Sequence, residues 1–402
     1  MTHEDNILQD PQAFVGGVAV GKADNTADLN KAIGKDQLFR GPIEIATFNA
    51  ALQLAENLHR PNRKLLLEVY QQTLQHGDLS TAIETRFKRV LLKKFKLKRG
   101  ETEDEAATKL FKKAWFREFV KLTLEKILYG HSLIQINALD TDGAPKSVQL
   151  IPRHHVDPVN KLVLHTAYEP NGLDYTSGKA ANSVVEVCDH VWDLGLLMKA
   201  APYVIWNLIS TQEWSEFTEI YGMPRLAVFA QSDKNKQSIY NALEKMGSFG
   251  HIILNEKDRI EFLEAQQANG MTVFESFCNY CDAKIIRLII GQTMTMQDGS
   301  SHSQSETHME IFDNITSADM LMVEDVVNDK LLPLLAKRNL IFAGLQFEFV
   351  NEINREAQMK LDAEIMKYFE LDATYLEETY GCKIVGPWTK AVVQEPAEKK
   401  DI

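Results

Sequence analysis

Four cysteines in 402 residues are too few for a disulfide framework, and Cys188 and Cys382 stand far from the Cys278/Cys281 pair. Reduced thiols are expected. No apolar run approaches the roughly 18 to 20 residues a membrane span needs, and no membrane partner is expected. The opening MTHEDN has neither the basic nor the apolar region of a secretory signal, so the expectation is a chain made and kept in a cytoplasm-like compartment. Basic residues are in deficit. A formal charge of −12 argues against a protein that grips nucleic acid tightly, because such binding is driven by Lys and Arg neutralising phosphates. It leaves room for a protein that DNA passes without sticking. The phosphate-cradling, dinucleotide, zinc-protease and nucleophile-elbow motifs are missing as well, and nothing names a catalytic group, a metal site or a cofactor.

What is present is ordinary globular material, 45% hydrophobic and 25% charged, enough for two or three cores. The pattern reads as helix-rich α+β. Residues 1–40 are poor in large apolar side chains and are expected to form an extended or disordered arm. Helical runs follow in ATFNAALQLAENL and in KLLLEVYQQTLQHGD, the latter expected to stop at Gly77. DLSTAIETRFKRVLL then opens with Asp78 and Ser80 as an N-terminal signal. The segment 86–99 holds eight basic residues, with Phe95 and Leu97 alternating as in a half-exposed strand. It could touch DNA. The favoured reading is a solvated face balanced by Glu101, Glu103, Asp104 and Glu105.

A single helix is expected from Glu103 to Tyr129, closed by Gly130 as a left-handed cap. SLIQINAL and KSVQLIP make a hairpin about the turn DTDGAP. Asp140, Asp142 and Gly143 resemble the start of a calcium loop, but the twelfth-position acid is absent, which favours a plain turn. His154 and His155 have no acidic or cysteine partner at ligand spacing. Short strands in KLVLHTAY and SVVEVCDHVWDL close this α/β region near residue 195.

A long helix then runs over 196–222, with Pro202 in its first turns and Gly222 and Pro224 as its stop. Glu213, Glu216 and Glu219 fall three apart on one face. Between residues 223 and 270 comes a small module: strand RLAVFA, helix DKNKQSIYNALEKMG, and strands HIILN and RIEFLEA. A second long helix covers 271–291 and contains Cys278 and Cys281. A redox pair of this spacing belongs at a helix N-terminus after a strand, and a zinc site needs a second pair, so packing is the favoured role.

Next comes a polar loop: Gln292, Thr293, Met294, Thr295, Met296, Gln297, Asp298, Gly299, Ser300, Ser301, His302, Ser303 and Gln304. It has no aromatic residue, no Lys and no Arg, and Met294 and Met296 are its only apolar side chains. His302 and His308 have no partner that would make either a general base. A third helix follows, with Ile311, Ile315, Ala318, Met322 and Val326 spaced as its apolar stripe. Pro333 is expected to end or kink it.

In this order the words YGHSLIQI, WSEFTEIYGMPRLAVF, IIGQTMT, SETHMEIFDNITSADM and LLPLLAKRN resemble the portal proteins of Mu-like phages and prophages over roughly 40–385. The resemblance implies a wing of α/β type (41–195, with a return strand in 338–353) and stem helices at 196–222 and 271–291. It further implies a clip (223–270), a tunnel loop (292–304), a tunnel helix (305–337), a short helical crown (354–390) and a charged tail (391–402). It also implies a ring, generally of twelve subunits, at a capsid vertex of the virion, assembled in a bacterial cytoplasm. Double-stranded DNA would pass through non-specifically, and the partners would be terminase large subunit, a head-to-tail adaptor, and major capsid or scaffold protein. On this reading Glu213, Glu216 and Glu219 line the channel or pair with Lys284 and Arg287 of a neighbouring stem. The rival readings are another head-to-tail adaptor or minor capsid protein, and a thiol enzyme using Cys278 and Cys281.

Overall fold

The computed structural model describes residues 26–34, 38, 44–222, 226–230, 241, 251–255, 267–291, 302–350, 355–369 and 371–383. The chain divides into two compact units, Met1–Phe349 and Val350–Ile402. The first is organised by one large apolar core shared among short helices, long helices and a strand that returns late in the sequence.

Three helices, Ile45–Ala55, Lys64–Thr73 and Gly77–Leu91, open this core. Gly77 does not stop the second of them. That helix ends at Thr73, the connection is tied by His76 N–H donating to the Thr73 carbonyl (3.2 Å), and Gly77 begins the third. Asp78 sits in the first turn, where a carboxylate meets the free N–H groups. The expected single helix after Glu103 is two: Glu105–Phe111, capped by Asp104 Oδ1 on Ala107 N–H (2.9 Å), and Ala114–Tyr129. The break falls at Lys113, whose backbone is extended and whose Nζ reaches both Asp140 (3.0 Å) and Asp142 (2.7 Å). Those two acids are thereby engaged in a lysine-closed turn. Gly130 is left-handed at φ 76°, and a Cβ there would lie 2.0 Å from the Asp193 carbonyl oxygen.

The hairpin forms between Ser132–Ile136 and Val148–Leu150, and Val184–Val187 pairs on the other side of Ser132–Ile136. Phe95–Arg99 pairs antiparallel with Leu345–Phe349, so a strand 250 residues later completes the sheet. His155 is buried with Nδ1 3.1 Å from the Leu164 carbonyl.

The expected arm is anchored at its end. Residues 26–34 lie against the body: Leu29 is fully buried in a second apolar cluster, its N–H donates to Gln135 Oε1 (2.8 Å), and Ala27 N–H donates to Ser183 Oγ (2.7 Å). Sequence pattern missed this because the anchoring is by backbone N–H groups and one leucine, which leave no periodicity. The strands Leu226–Ala230 and His251–Asn255 pair in parallel, which requires a crossover between them. Asn241 is helical, while the rest of the expected helix and the strand RIEFLEA fall outside the described residues.

In the second unit, helices Arg355–Ile365 and Ala373–Tyr380 meet at Asp362, which is buried and accepts from Tyr380 Oη at 2.6 Å and from Gln358 Nε2 at 2.8 Å. Burial and the bond to Asp362 push the Tyr380 hydroxyl up to about 12.

Candidate functional site

Two long antiparallel helices, Gly195–Gly222 and Gln267–Ile290, form the most extensive helix pairing in the chain. Their apolar stripes explain one half of the pair. Leu197, Ala200, Ala201, Val204 and Ile205 on one helix, and Ile285, Ile286, Ile289 and Ile290 on the other, are embedded in the main core. The other half is held by a narrow seam. Asn207 Nδ2 donates to Asp282 Oδ1 (2.8 Å), Thr211 Oγ1 lies 3.8 Å from Cys278 Sγ, and the Phe217 and Phe274 rings are 6.0 Å apart. His76 Nε2 is 3.4 Å from the same Asp282 carboxylate, tying the pair to the helix that starts at Gly77. Burial raises the Asp282 carboxyl above the usual carboxylate range, partly opposed by His76.

Outside the seam this half is exposed. Trp206, Ile209, Phe277 and Tyr280 are solvent-facing, with the Tyr280 ring half exposed at 49%. Ring contacts link Trp206 to Tyr203 (5.7 Å), Tyr203 to Tyr280 (6.5 Å) and Tyr280 to Phe277 (6.4 Å). Glu213, Glu216 and Glu219 are all exposed here, and Glu216 Oε1 accepts from Gln212 Nε2 at 3.2 Å. Lys284 lies 5.2 Å from the centre of the Tyr280 ring, and Arg287 is exposed.

The register keeps the two charge groups apart within one chain. Thr211 is level with Cys278, so at 1.5 Å per residue Glu213 and Lys284 are separated by about 12 Å along the pair, and Glu216 and Arg287 by about 21 Å. Among the described residues none of these five joins an ion pair within the chain.

Cys278 and Cys281 sit mid-helix against the first long helix, buried and far from the N-terminus of their own helix. Burial pushes the Cys281 thiol up to about 11, the opposite of what a reactive thiolate needs. Their role is packing. Among the described residues no group of three or more His, Cys, Asp or Glu is placed to hold a metal.

The second long helix ends at Gly291, left-handed at φ 83°, whose N–H donates to the Arg287 carbonyl (2.9 Å). A Cβ there would lie 2.6 Å from Ile315 Cδ1, so the third long helix, His302–Val326, packs directly on this turn. The polar stretch 292–301 lies outside the described residues. His302, Ser303 and Gln304, expected in the loop, instead begin the helix. Ile315 is 13 residues into that helix, about 20 Å from its start, so its first three turns run beyond the Gly291 contact. The eleven steps from Gly291 to His302 span at most about 40 Å, enough to cover that distance with slack.

The buried face of the third helix is offset by one position from the first four members of the expected stripe, with Ile315 and Met322 half-buried, and coincides with it at Val326. Phe312, Thr316, Asp319, Val323 and Val326 are buried, while Ile311, Ala318 and Leu321 are exposed. Arg86 meets this buried face. Its guanidinium grips Asp319 with two bonds (Nε to Oδ2, 2.7 Å; Nη2 to Oδ1, 2.8 Å) and donates through Nη1 to the Ile289 carbonyl (2.8 Å). One arginine thus clamps the end of the second long helix to the body of the third. Arg89 pairs with Asp313 and lies 4.3 Å from the Phe312 ring centre. Lys98 pairs with Glu348 at 2.5 Å. Three of the eight basic residues in 86–99 thus pair with distant acids, Lys88 pairs with Glu84, and of the expected local acids Asp104 is the one seen paired with the segment, to Arg99 (3.3 Å).

Pro333 does not end the third helix. A π-helical turn at Val327–Leu331 precedes it and the helix continues to Arg338, the wider turn accommodating the missing N–H. From this turn Asn328 exchanges two hydrogen bonds with Phe347 (2.7 and 3.0 Å) and Glu324 accepts from Phe349 N–H (2.6 Å). The return strand is thus fixed by helix side chains on one edge and by Phe95–Arg99 on the other.

Comparisons with known proteins bear on this arrangement. The family model described as the portal protein of Mu bacteriophage matches residues 67–382. The portal protein of Escherichia phage Mu is 25% identical over 243 residues, covering 56% of this chain and 46% of that protein. The Mu-like prophage FluMu protein gp29 of Haemophilus influenzae is 28% identical over 142 residues, covering 34% of this chain and 27% of that protein. The chain thus matches less than half the length of either relative. Among solved structures, a chain from the neck of an empty GTA particle, computed with C6 symmetry, superposes with a TM-score of 0.52 at 10% identity, over 78% of this chain and 93% of the other. That likeness is one of fold. A matched span running from the second short helix to the last described residues of the second unit places this chain in the Mu bacteriophage portal protein family.

Proposed function

We propose that the chain is the subunit of a ring, generally of twelve copies, that occupies one vertex of a phage capsid in the virion and gives double-stranded DNA its passage in and out. The single observation that carries this reading is the helix pair that brackets a βαβ-like insert and turns at Gly291 into a third long helix, in a chain of the Mu portal family. In this reading 41–195 with 338–353 form the wing, 196–222 and 271–291 the stem, and 223–270 the clip. Residues 292–304 form the DNA-facing tunnel segment, 305–337 the tunnel helix and 354–390 the crown.

Electrostatics favour passage over grip. The charge of −12 per chain, multiplied around a ring, disfavours lasting phosphate contacts. The tunnel segment has no Lys or Arg and steers or seals by shape and light contact. A separate ATPase, the terminase large subunit, supplies the work; a head-to-tail adaptor and the capsid or scaffold protein complete the contacts. Negative-stain imaging of the purified full chain tests the reading. Ring-shaped particles with a central hole are expected, and a monomer or a solid particle at micromolar concentration overturns it.

A further inference from the structure

A closed ring is built from a heterologous contact, in which two different faces of the same chain meet. The outward faces of the helix pair, which run from its exposed half into the solvent side of its embedded half, offer two such surfaces of opposite charge. On the second long helix Phe277, Tyr280, Lys284 and Arg287 recur at steps of three or four, so they share one stripe; Phe277, Tyr280 and Arg287 are exposed and Lys284 is half-buried over the Tyr280 ring. On the first, Ile209, Gln212, Glu213 and Glu216 form an exposed aliphatic and acidic stripe.

We infer that these stripes are the two sides of one subunit contact, in which Glu216 pairs with Lys284 and Glu213 with Arg287 of the adjacent copy. The inference rests on the ring reading above and sharpens it. Its warrant is matched spacing: the acids and the bases each fall three residues apart, so one antiparallel contact makes two pairs, and the register that would instead pair Glu219 with Lys284 is the one the cross-linking below separates. In antiparallel helices, residues that lie level have a constant sum of residue numbers. Within one chain that sum is 489, from Thr211 with Cys278 and from Asn207 with Asp282. Glu216 with Lys284 and Glu213 with Arg287 both sum to 500, so one displacement satisfies both pairs at once. Glu219 would fall opposite Cys281, which is buried, and is left out of the contact.

The displacement is eleven residues, about 16 Å along the helices. Cyclic symmetry keeps every copy at the same height, so the shift is achieved by inclining the pair. With helices packed about 10 Å apart, a repeat of two helices is about 20 Å wide and the inclination is roughly 40° to the ring axis. The exposed rings of Phe277 and Tyr280 lie on the same stripe and would exclude water from the two pairs, the condition under which a close charge pair adds to affinity.

The test uses the full chain with Cys382→Ser, which removes the exposed native thiol. Glu216→Cys with Lys284→Cys should give a ladder of disulfide-linked oligomers under mild oxidation, whereas Glu219→Cys with Lys284→Cys should not. Separately, Lys284→Glu with Arg287→Glu should raise the protomer concentration for half-assembly at least tenfold by native mass measurement. Adding Glu213→Lys and Glu216→Lys should bring it back. All four side chains lie outside the core, so thermal melting of the protomer should be unchanged. Absence of the 216–284 ladder in chains that do form rings, or ring formation indifferent to the charge reversal, overturns the inference. A wild-type chain that never forms rings overturns the ring reading itself.

Discussion

The two halves of the long helix pair obey different rules. At the embedded half, five apolar residues of one helix and four of the other disappear into a core shared with the surrounding short helices and the return strand. At the far half the same two helices meet along a seam that includes Asn207, Thr211, Phe217, Phe274, Cys278 and Asp282, and carry aromatic and charged stripes to the surface. A helix pair that served only the fold of its own chain would not keep Trp206, Phe277 and Tyr280 in water. On the proposed contact, the buried stripes of the pair serve the protomer, and its exposed aromatic and charged stripes serve the assembly.

The largest effect should come from the clamp below the embedded half. Arg86→Ala or Asp319→Ala leaves a buried charge without its partner and should cost about 3 to 5 kcal/mol in chemical denaturation of the protomer. Arg86→Met with Asp319→Leu should recover most of that loss. Next, Ile205→Ala or Ile289→Ala in the embedded half should cost about 2 to 4 kcal/mol, by lost burial plus a cavity. Ile209→Ala or Phe277→Ala in the far half should leave the protomer within about 0.5 kcal/mol of wild type and weaken only assembly. Equal protomer losses in the two halves would erase the distinction between them.

A smaller effect concerns pH and lies in the sheet region, away from both halves. His131 is buried and its imidazole is pushed down to about 3, by burial first and then by Arg63, Arg153 and Lys161; Glu186 faces it at 3.8 Å. A depressed histidine stays neutral in the fold but protonates when unfolded. Stability from this site is therefore full above about pH 6.5 and is lost as pH falls toward about 3, by about 1.4 kcal/mol per pH unit in that window. His131→Gln should flatten the denaturation midpoint relative to wild type between pH 6 and pH 4. An unchanged slope would mean the side chain is solvated.

Much of this architecture could be read from residues because it depends on local pattern. The long helices, the Gly130 cap, the end of the second long helix at Gly291, the hairpin at 132–150 and the packing role of Cys278 and Cys281 all follow from periodicity and turn chemistry. What escaped depends on contacts distant in sequence. Arg86 reaches 233 residues to Asp319 on the buried face of the third helix, while Ile311 and Ala318, expected inside, face out. Leu29 enters the core from a segment with no period of its own. The apparent basic patch at 86–99 looked solvated because its main partners, Asp313, Asp319 and Glu348, lie more than two hundred residues away. At the candidate site the residue types were visible, but the separation of Glu213 and Glu216 from Lys284 and Arg287 within one chain needed the Thr211–Cys278 level.

Hydroxyl-radical footprinting of the same preparation, as dissociated protomer and as assembled ring, tests the division between the halves most directly. Phe277 and Tyr280, both exposed in the isolated chain, should lose most of their labelling on assembly. Labelling of Phe277 and Tyr280 at the same rate in ring and protomer would contradict the assignment of the far half to the subunit contact.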